Sequence, residues 1–198
     1  PLSARGSDKW DPAMDPVRAG GFAVPSRVMG LWGNPAGLAF SGTEMLLFGG
    51  NRSSGASAAL ALGPLKLGTG FEYLTLPDSD GVWRYDLGVG LNMGNVVGLG
   101  WYWQPTLSGP GGGETMSLGL IVRAARWLSL SMHGRNLGRE GFDGEPGMIL
   151  MGFGVGIRPI GRSFVFGADF EIDEKGEEYR PSVYLGLLVP RGMELGLR

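Results

Sequence analysis

Charged side chains recur in this sequence at every second position of long alternating runs. Lys66, Arg84, Arg123, Arg135, Arg158 and Arg198 supply cations; Glu72, Asp86, Asp169, Glu171 and Glu194 supply anions. The alternation places all of them on one face. Opposite charges confined to one face can neutralise one another in a structural network, as buried charges require. They can also form a polar filter, or hold a carboxylate head group through a guanidinium fork, with Arg84, Arg123 or Arg135 as donor. The network is the expected role.

His133 is the single histidine, on the same face as Ser131 and Arg135. One His and no Cys make a nucleophile–base–orienter set, or a thiolate or His-rich metal site, an unlikely design. A structural hydrogen bond is expected of His133. Asp78-Ser79-Asp80-Gly81 carries oxygen ligands of the kind that hold Ca²⁺, but it reads as a tight turn. The glycines of residues 109–113, and Gly152, Gly154 and Gly156, do not open a helix or precede Lys-Ser/Thr as a phosphate loop does. No catalytic residue, cofactor or metal is expected, and the chain is not read as an enzyme.

These side chains need elements to carry them. Of 198 residues, 38 are Gly, 13 Pro and none Cys. Glycine is thus about 19%, against an average near 7%. No collagen period accounts for it. Seventeen basic and 19 acidic residues leave a net charge of −2. That balance excludes a broad basic surface, so nucleic acid is not an expected partner. It also excludes a highly charged disordered tail. No apolar run of about 18 residues predicts a transmembrane helix, which says nothing of transmembrane strands. The chain starts at Pro1 with no basic-then-apolar leader, which suits a removed signal peptide or a piece of a longer chain.

The dominant period is two. Trp83, Tyr85, Leu87, Val89 and Leu91 alternate with Arg84, Asp86, Gly88, Gly90 and Asn92. A helix would mix the two sets around its circumference, so this is a strand. The pattern recurs over residues 97–104, 116–123, 128–133, 149–158, 164–171, 182–189 and 193–198, and more weakly over 44–49, 56–63 and 65–76. One face is apolar and aromatic. The other is largely glycine with scattered charge. A soluble sandwich would carry Lys, Glu, Thr and Ser on its wet face, where glycine only weakens a strand. A narrow, curved lumen has a use for glycine. The expected fold is all-β: an antiparallel up-and-down transmembrane β-barrel of about 10–12 strands over residues 44–198. Residues 1–43 are expected to form an irregular, hatch-like plug on the periplasmic or luminal side. A soluble β-fold is the alternative.

Connections alternate between short (63–66, 92–96, 124–127, 159–162, 190–192) and long (77–81, 105–113, 137–147, 173–180). Outer-membrane barrels show this asymmetry, with the short turns on the periplasmic side. It places Tyr73, Trp83 and Trp103 at an outer rim and Trp127 and Phe164 at an inner one, as aromatic girdles. A direct count gives eleven strands, an odd number, and Arg198 falls inside an alternating strand. Either the chain continues past Arg198 or one strand is miscounted, because an open edge cannot face lipid.

Residues 1–40 lack the alternation. They contain Asn34-Pro35-Ala36-Gly37-Leu38-Ala39, which resembles the element preceding the first strand in FadL-like outer-membrane barrels. That superfamily includes long-chain fatty-acid transporters and the secretion barrel PorV. Residues 128–137, ending Arg135-Asn136-Leu137, resemble a family strand, and residues 154–159 followed by Phe166-Gly167-Ala168-Asp169-Phe170 resemble a family hairpin. The likeness spans most of residues 30–190, although the family's barrel is larger and its hatch longer. The resemblance implies a bacterial outer-membrane location, contact with outer-membrane lipid and passage or binding of a hydrophobic small molecule. Asn34, Pro35, Ala36, Gly37 and Leu38 would be the hatch, and Arg84, Asp86, Arg123, His133, Arg135, Arg158, Asp169 and Glu171 the luminal polar set. Two alternatives share these residues. One is a non-transporting structural or secretion-accessory barrel that binds a partner protein. The other is the N-terminal barrel part of a larger SppA-like signal-peptide peptidase. A continuous apolar lumen favours transport; a lumen packed with charge pairs favours a scaffold.

Overall fold

The computed structural model describes residues 20–21, 23–25, 33–49, 53–74, 81–108, 113–139, 147–158, 164–176, 179–189 and 193–197. The alternating segments become strands of one 11-stranded antiparallel sheet in which each strand pairs with the next in sequence. They are β3 (Glu44–Gly49), β4 (Ser53–Leu62), β5 (Leu65–Leu74), β6 (Val82–Met93), β7 (Val97–Ser108), β8 (Glu114–Ala125), β9 (Leu128–Arg135), β10 (Leu150–Ile157), β11 (Phe164–Asp173), β12 (Tyr179–Val189) and β13 (Met193–Leu197). A two-stranded hairpin, β1 (Gly20–Gly21) and β2 (Val24–Pro25), precedes them. The fold is therefore all-β, antiparallel and up-and-down, as the period-two pattern predicts. Among the described residues β3 and β13 are the two edges, and no pairing joins them.

Tight turns set the register. Gly63 (φ 62) turns β4 into β5, and Gly94 (φ 62) with Asn95 (φ 58) turns β6 into β7. Hairpin turns need such left-handed residues. The Asn92 side chain accepts a 2.8 Å bond from the Asn95 amide and fixes the second turn. Residues 126–127 link β8 to β9. The expected turns at 159–162 and 190–192 lie outside the described residues, as does part of each long connection.

One boundary differs from the sequence reading. Residues 105–108 extend β7 where a loop is expected. Pro105 has no N–H to donate, which argues against a central strand. The register between β6 and β7 shifts between Trp83 and Arg84, and Pro105 sits in that irregular stretch, paired with Glu114 on its other side. A bulge is where a sheet tolerates proline.

The two faces of the sheet are inverted relative to a soluble protein. Large apolar side chains on the outer face are exposed: Met45 72%, Phe71 50%, Trp83 48%, Leu118 51%, Val183 56%. Charged side chains on the inner face are buried: Glu72 6%, Arg84 3%, Asp86 0%, His133 2%. Glu72 stands directly opposite Arg84 across the β5–β6 ladder, the arrangement that lets opposite charges stabilise a sheet.

The N-terminal segment helps to seal the inner face. Residues 35–40 form a 3₁₀ helix, Pro35–Phe40, that the sequence reading leaves irregular. Its start is local chemistry. Asn34 is the N-cap, its side-chain oxygen accepting from the Ala36 amide at 3.0 Å, and Pro35 occupies the first helical position. The helix packs against β5 to β8, and β1 packs against β10 to β12. Gly90, Gly98, Gly100 and Gly119 form its groove: a Cβ on any of them would overlap Asn34, Pro35, Ala36, Ala39 or Phe40. Gly100→Val is expected to lower stability by about 1–3 kcal/mol through overpacking. Gly42→Ala, where a Cβ meets open space, should stay within about 0.5 kcal/mol. Denaturant titration of the two variants checks this.

Candidate functional site

The inner face concentrates the chemistry, and the pairing register decides which side chains meet. His133 and Arg135 lie on β9, and Glu171 lies on β11, with β10 between them. Gly152 of β10 is the register partner of both His133 and Glu171. A Cβ at Gly152 would overlap the His133 imidazole. The missing side chain is the gap through which the ring reaches across a whole strand. Glu171 Oε1 accepts from Arg135 Nη1 at 2.9 Å and lies 3.1 Å from His133 Nε2. As the carboxylate can only accept, Nε2 is the donor in that contact. All three side chains are buried.

Gly154, two residues on, leaves room for two further inner-face side chains, Asp169 and Ser131. A Cβ there would overlap Asp169 Oδ1 and Ser131 Oγ. A second cluster forms on β6 and β7. Asp86 Oδ1 accepts from Tyr102 Oη at 3.0 Å and from Gln104 Nε2 at 2.7 Å, all buried. Above it, Thr115 Oγ1 donates to Asn136 Oδ1 at 2.8 Å, and Asn136 Nδ2 donates to the Met148 carbonyl at 3.1 Å.

The 3₁₀ helix is tied to the same face. Asn92 Nδ2 donates to the Ala39 carbonyl at 3.0 Å. The Arg123 guanidinium lies 3.6 Å above the Phe40 ring, a cation–π contact. Asn34 Nδ2 reaches toward the Leu120 carbonyl at 3.5 Å, a long contact.

Of the residues singled out from the sequence, Arg84, Asp86, His133, Arg135, Asp169 and Glu171 are buried on the inner face. His133, Arg135 and Glu171 are brought together. Arg123 meets the expected plug of residues 1–43 at Phe40, two residues past the hatch motif that ends at Leu38. Arg158 is half-buried immediately after β10, its amide bonded to the Trp127 carbonyl. It stands at a strand end. Asn34, Pro35, Ala36, Gly37 and Leu38 are all buried. Residues 78–80 of the possible turn, Arg198 and the Glu194 side chain lie outside the described residues. Among the described residues no group of three or more His, Cys, Asp or Glu could hold a metal ion.

Tyr102, Gln104, Thr115 and Asn136 carry partners that the sequence reading does not single out. The phase of the alternation already puts Tyr102 and Gln104 on the inner face; their neutral side chains gave no reason to prefer them. Chemically, these clusters satisfy buried polar atoms and fix strand to strand. Comparison of the chain with protein-family models, with curated proteins and with solved structures finds no match.

Removing one member of the network exposes its worth. Glu171→Leu, which takes the carboxylate away from buried Arg135 and His133, should cost about 3–5 kcal/mol. The double variant Arg135→Met/Glu171→Leu should cost less than the sum of the singles, with a coupling of about 1–3 kcal/mol. A double-mutant cycle by equilibrium unfolding measures it.

Proposed function

We propose that this chain is a membrane-spanning β-barrel of the bacterial outer-membrane type, acting as an occluded scaffold. The observation that carries the proposal is the inversion of the sheet. Exposed Leu, Met, Phe and Trp cover one face, and buried Arg, Asp, Glu and His cover the other. In water that arrangement forfeits the hydrophobic effect on the outer face and adds a desolvation cost on the inner one. In a bilayer the outer face is at home. Lipid also requires every backbone group in the hydrocarbon to be paired, which closes the sheet into a barrel. Strands of 8–12 residues dominate the sheet, near the length of a tilted membrane strand.

The scaffold part of the reading rests on how the inner face is filled. The Gly90–Gly119 side of it is occupied by the 3₁₀ helix, and the Gly152–Gly154 side by His133, Asp169 and Ser131. That leaves the connections at the strand ends to meet a partner protein. There the Arg139 guanidinium ties the β9–β10 connection to Glu174 after β11 at 2.7 Å, and Trp103 Nε1 donates to Glu114 at 3.0 Å. Kinship with FadL- and PorV-like barrels is part of the proposal, supported by the element at residues 34–39.

A second reading, passage of a hydrophobic small molecule, has its own observation. Among the described residues, residues 34–40 are joined to the sheet by side-chain contacts such as those of Asn34, Asn92 and Arg123, and not by ladder pairing. Passage would require the segment to leave its groove.

The test is insertion. The chain should fold to β-structure only with detergent or lipid, and in liposomes its outer-face tryptophans should be quenched by brominated acyl chains. A folded, water-soluble monomer without detergent contradicts the proposal. In planar bilayers the scaffold reading expects no sustained conductance from the intact chain, and Gly100→Val, which displaces the segment, should raise it. Uptake of a long-chain fatty acid by proteoliposomes, lost when the segment is cross-linked in place, would favour passage instead.

A further inference from the structure

The outer face carries a cavity of about 580 Å³ that the barrel reading does not use. Its construction follows from the register. One wall is a row of cross-strand partners: Leu91, Leu99, Leu120 and Met132. The other is the next outward row: Val89, Trp101, Leu118, Gly134 and Met151. Between the two rows the side chains point inward, so the floor is backbone, chiefly that of Gly100, Gly119 and His133. At Gly134, an outward position with no side chain, the Leu137 and Met151 side chains close in over the buried backbone. Leu137, in the turn after β9, closes that end. The result is an apolar trough across five strands, β6 to β10.

The dimensions are informative. Four interstrand spacings give a length of about 19 Å, comparable with the roughly 15 Å of one leaflet's hydrocarbon. The volume lies within the range of about 300–1,000 Å³ typical of small-ligand sites. The lining is Leu, Val, Trp and Met, and the flexible thioethers of Met132 and Met151 adapt to an irregular chain. Arg139 follows Leu137 by two residues and keeps half of its side chain exposed while bonded to Glu174 at 2.7 Å. An arginine ion-paired to Glu174 therefore follows the Leu137 end along the chain, and its guanidinium donors beyond that one bond can still meet a phosphate.

We propose that this trough is a binding site for one acyl chain of a membrane phospholipid, with the phosphate directed toward Arg139. The proposal rests on the membrane reading above. A phospholipid seated here would bridge β6 to β10 on the outside, over the same strands that the 3₁₀ helix and the His133–Glu171 contact bind from the inside.

Native mass spectrometry of the full chain, purified in detergent and supplied with palmitoyl-oleoyl phosphatidylethanolamine, tests it. The wild type should retain one phospholipid per chain after bulk lipid is stripped. A Cβ at Gly134 would meet Leu137 and Met151 at an ordinary 3.4 Å, so the position accepts a side chain. Gly134→Leu should push the Leu137 and Met151 side chains into the trough and lower retention about tenfold, equivalent to about 1.4 kcal/mol. Should Gly134→Leu fail to fold, Gly134→Ala and Leu137→Ala carry the test, each with reduced retention expected. Arg139→Gln should weaken phosphatidylethanolamine retention and leave a neutral diacylglycerol unaffected. Equal retention by the wild type and the folded variants overturns the site. So does a bilayer-inserted wild type that keeps no lipid, or free palmitate displacing the phospholipid at equal concentration. A chain that folds without detergent fails at the earlier step, by sinking the membrane reading itself.

Discussion

A charge buried on one face of a β-sheet must find its partner on that same face, and here glycine decides which partners can meet. Residues directly opposite on neighbouring strands have Cβ atoms about 5 Å apart. Two strands away, an intervening side chain blocks the path. At Gly152 there is none, and the His133 ring and the Glu171 carboxylate close the gap over β10. Gly154 likewise leaves the space that the Asp169 and Ser131 side chains occupy. The alternation that puts Arg135 and Glu171 on one face would be a liability without these gaps, because a buried ion with no partner costs several kcal/mol.

The same vacancy serves a second purpose a few strands away. Gly90, Gly98, Gly100 and Gly119 let backbone approach backbone, so that residues 34–40 lie directly on β6 to β8. Asn34 and Pro35 start the helix from its own sequence, and Asn92 and Arg123 hold its far end. Inner charges, inner glycines and the N-terminal segment thus form one packed layer. The outer face is left with the apolar side chains, and its exposure is what assigns the protein to lipid in the reading proposed above.

The strands were legible because a period of two admits few other interpretations. Residues 82–92 alternate without a break, and β6 occupies Val82–Met93. The inner phase was legible for the same reason, so Arg84, Asp86, His133, Arg135, Asp169 and Glu171 could be placed on one face. Their pairing was not. That His133 meets Glu171 depends on the register of β9, β10 and β11, which no local pattern encodes, and on a glycine whose neighbours in space are remote in sequence. Asn34-Pro35 is a helix-start signal, yet a six-residue 3₁₀ helix has no apolar period to confirm it. Pro105 argued for a loop because the bulge beside it, one extra residue of β7 between the pairs Trp83–Ser108 and Arg84–Thr106, is set by the register against β6 and not by any local pattern. The glycines, read as room inside a curved sheet for the N-terminal segment, face the chain's own atoms at the positions named here, residues 34–40 at some and inner-face side chains at others.

The absence of cysteine from the sequence makes the central claim directly measurable. Single cysteines placed in turn at residues 82–93 of β6, spin-labelled in a lipid bilayer, would report contact with dissolved oxygen, which concentrates in hydrocarbon, against a water-soluble nickel chelate. The account predicts a period of two: high oxygen and low chelate contact at positions 83, 85, 87, 89 and 91, and low contact with both at 84, 86, 88 and 90. Chelate access at the odd positions throughout the strand would contradict it.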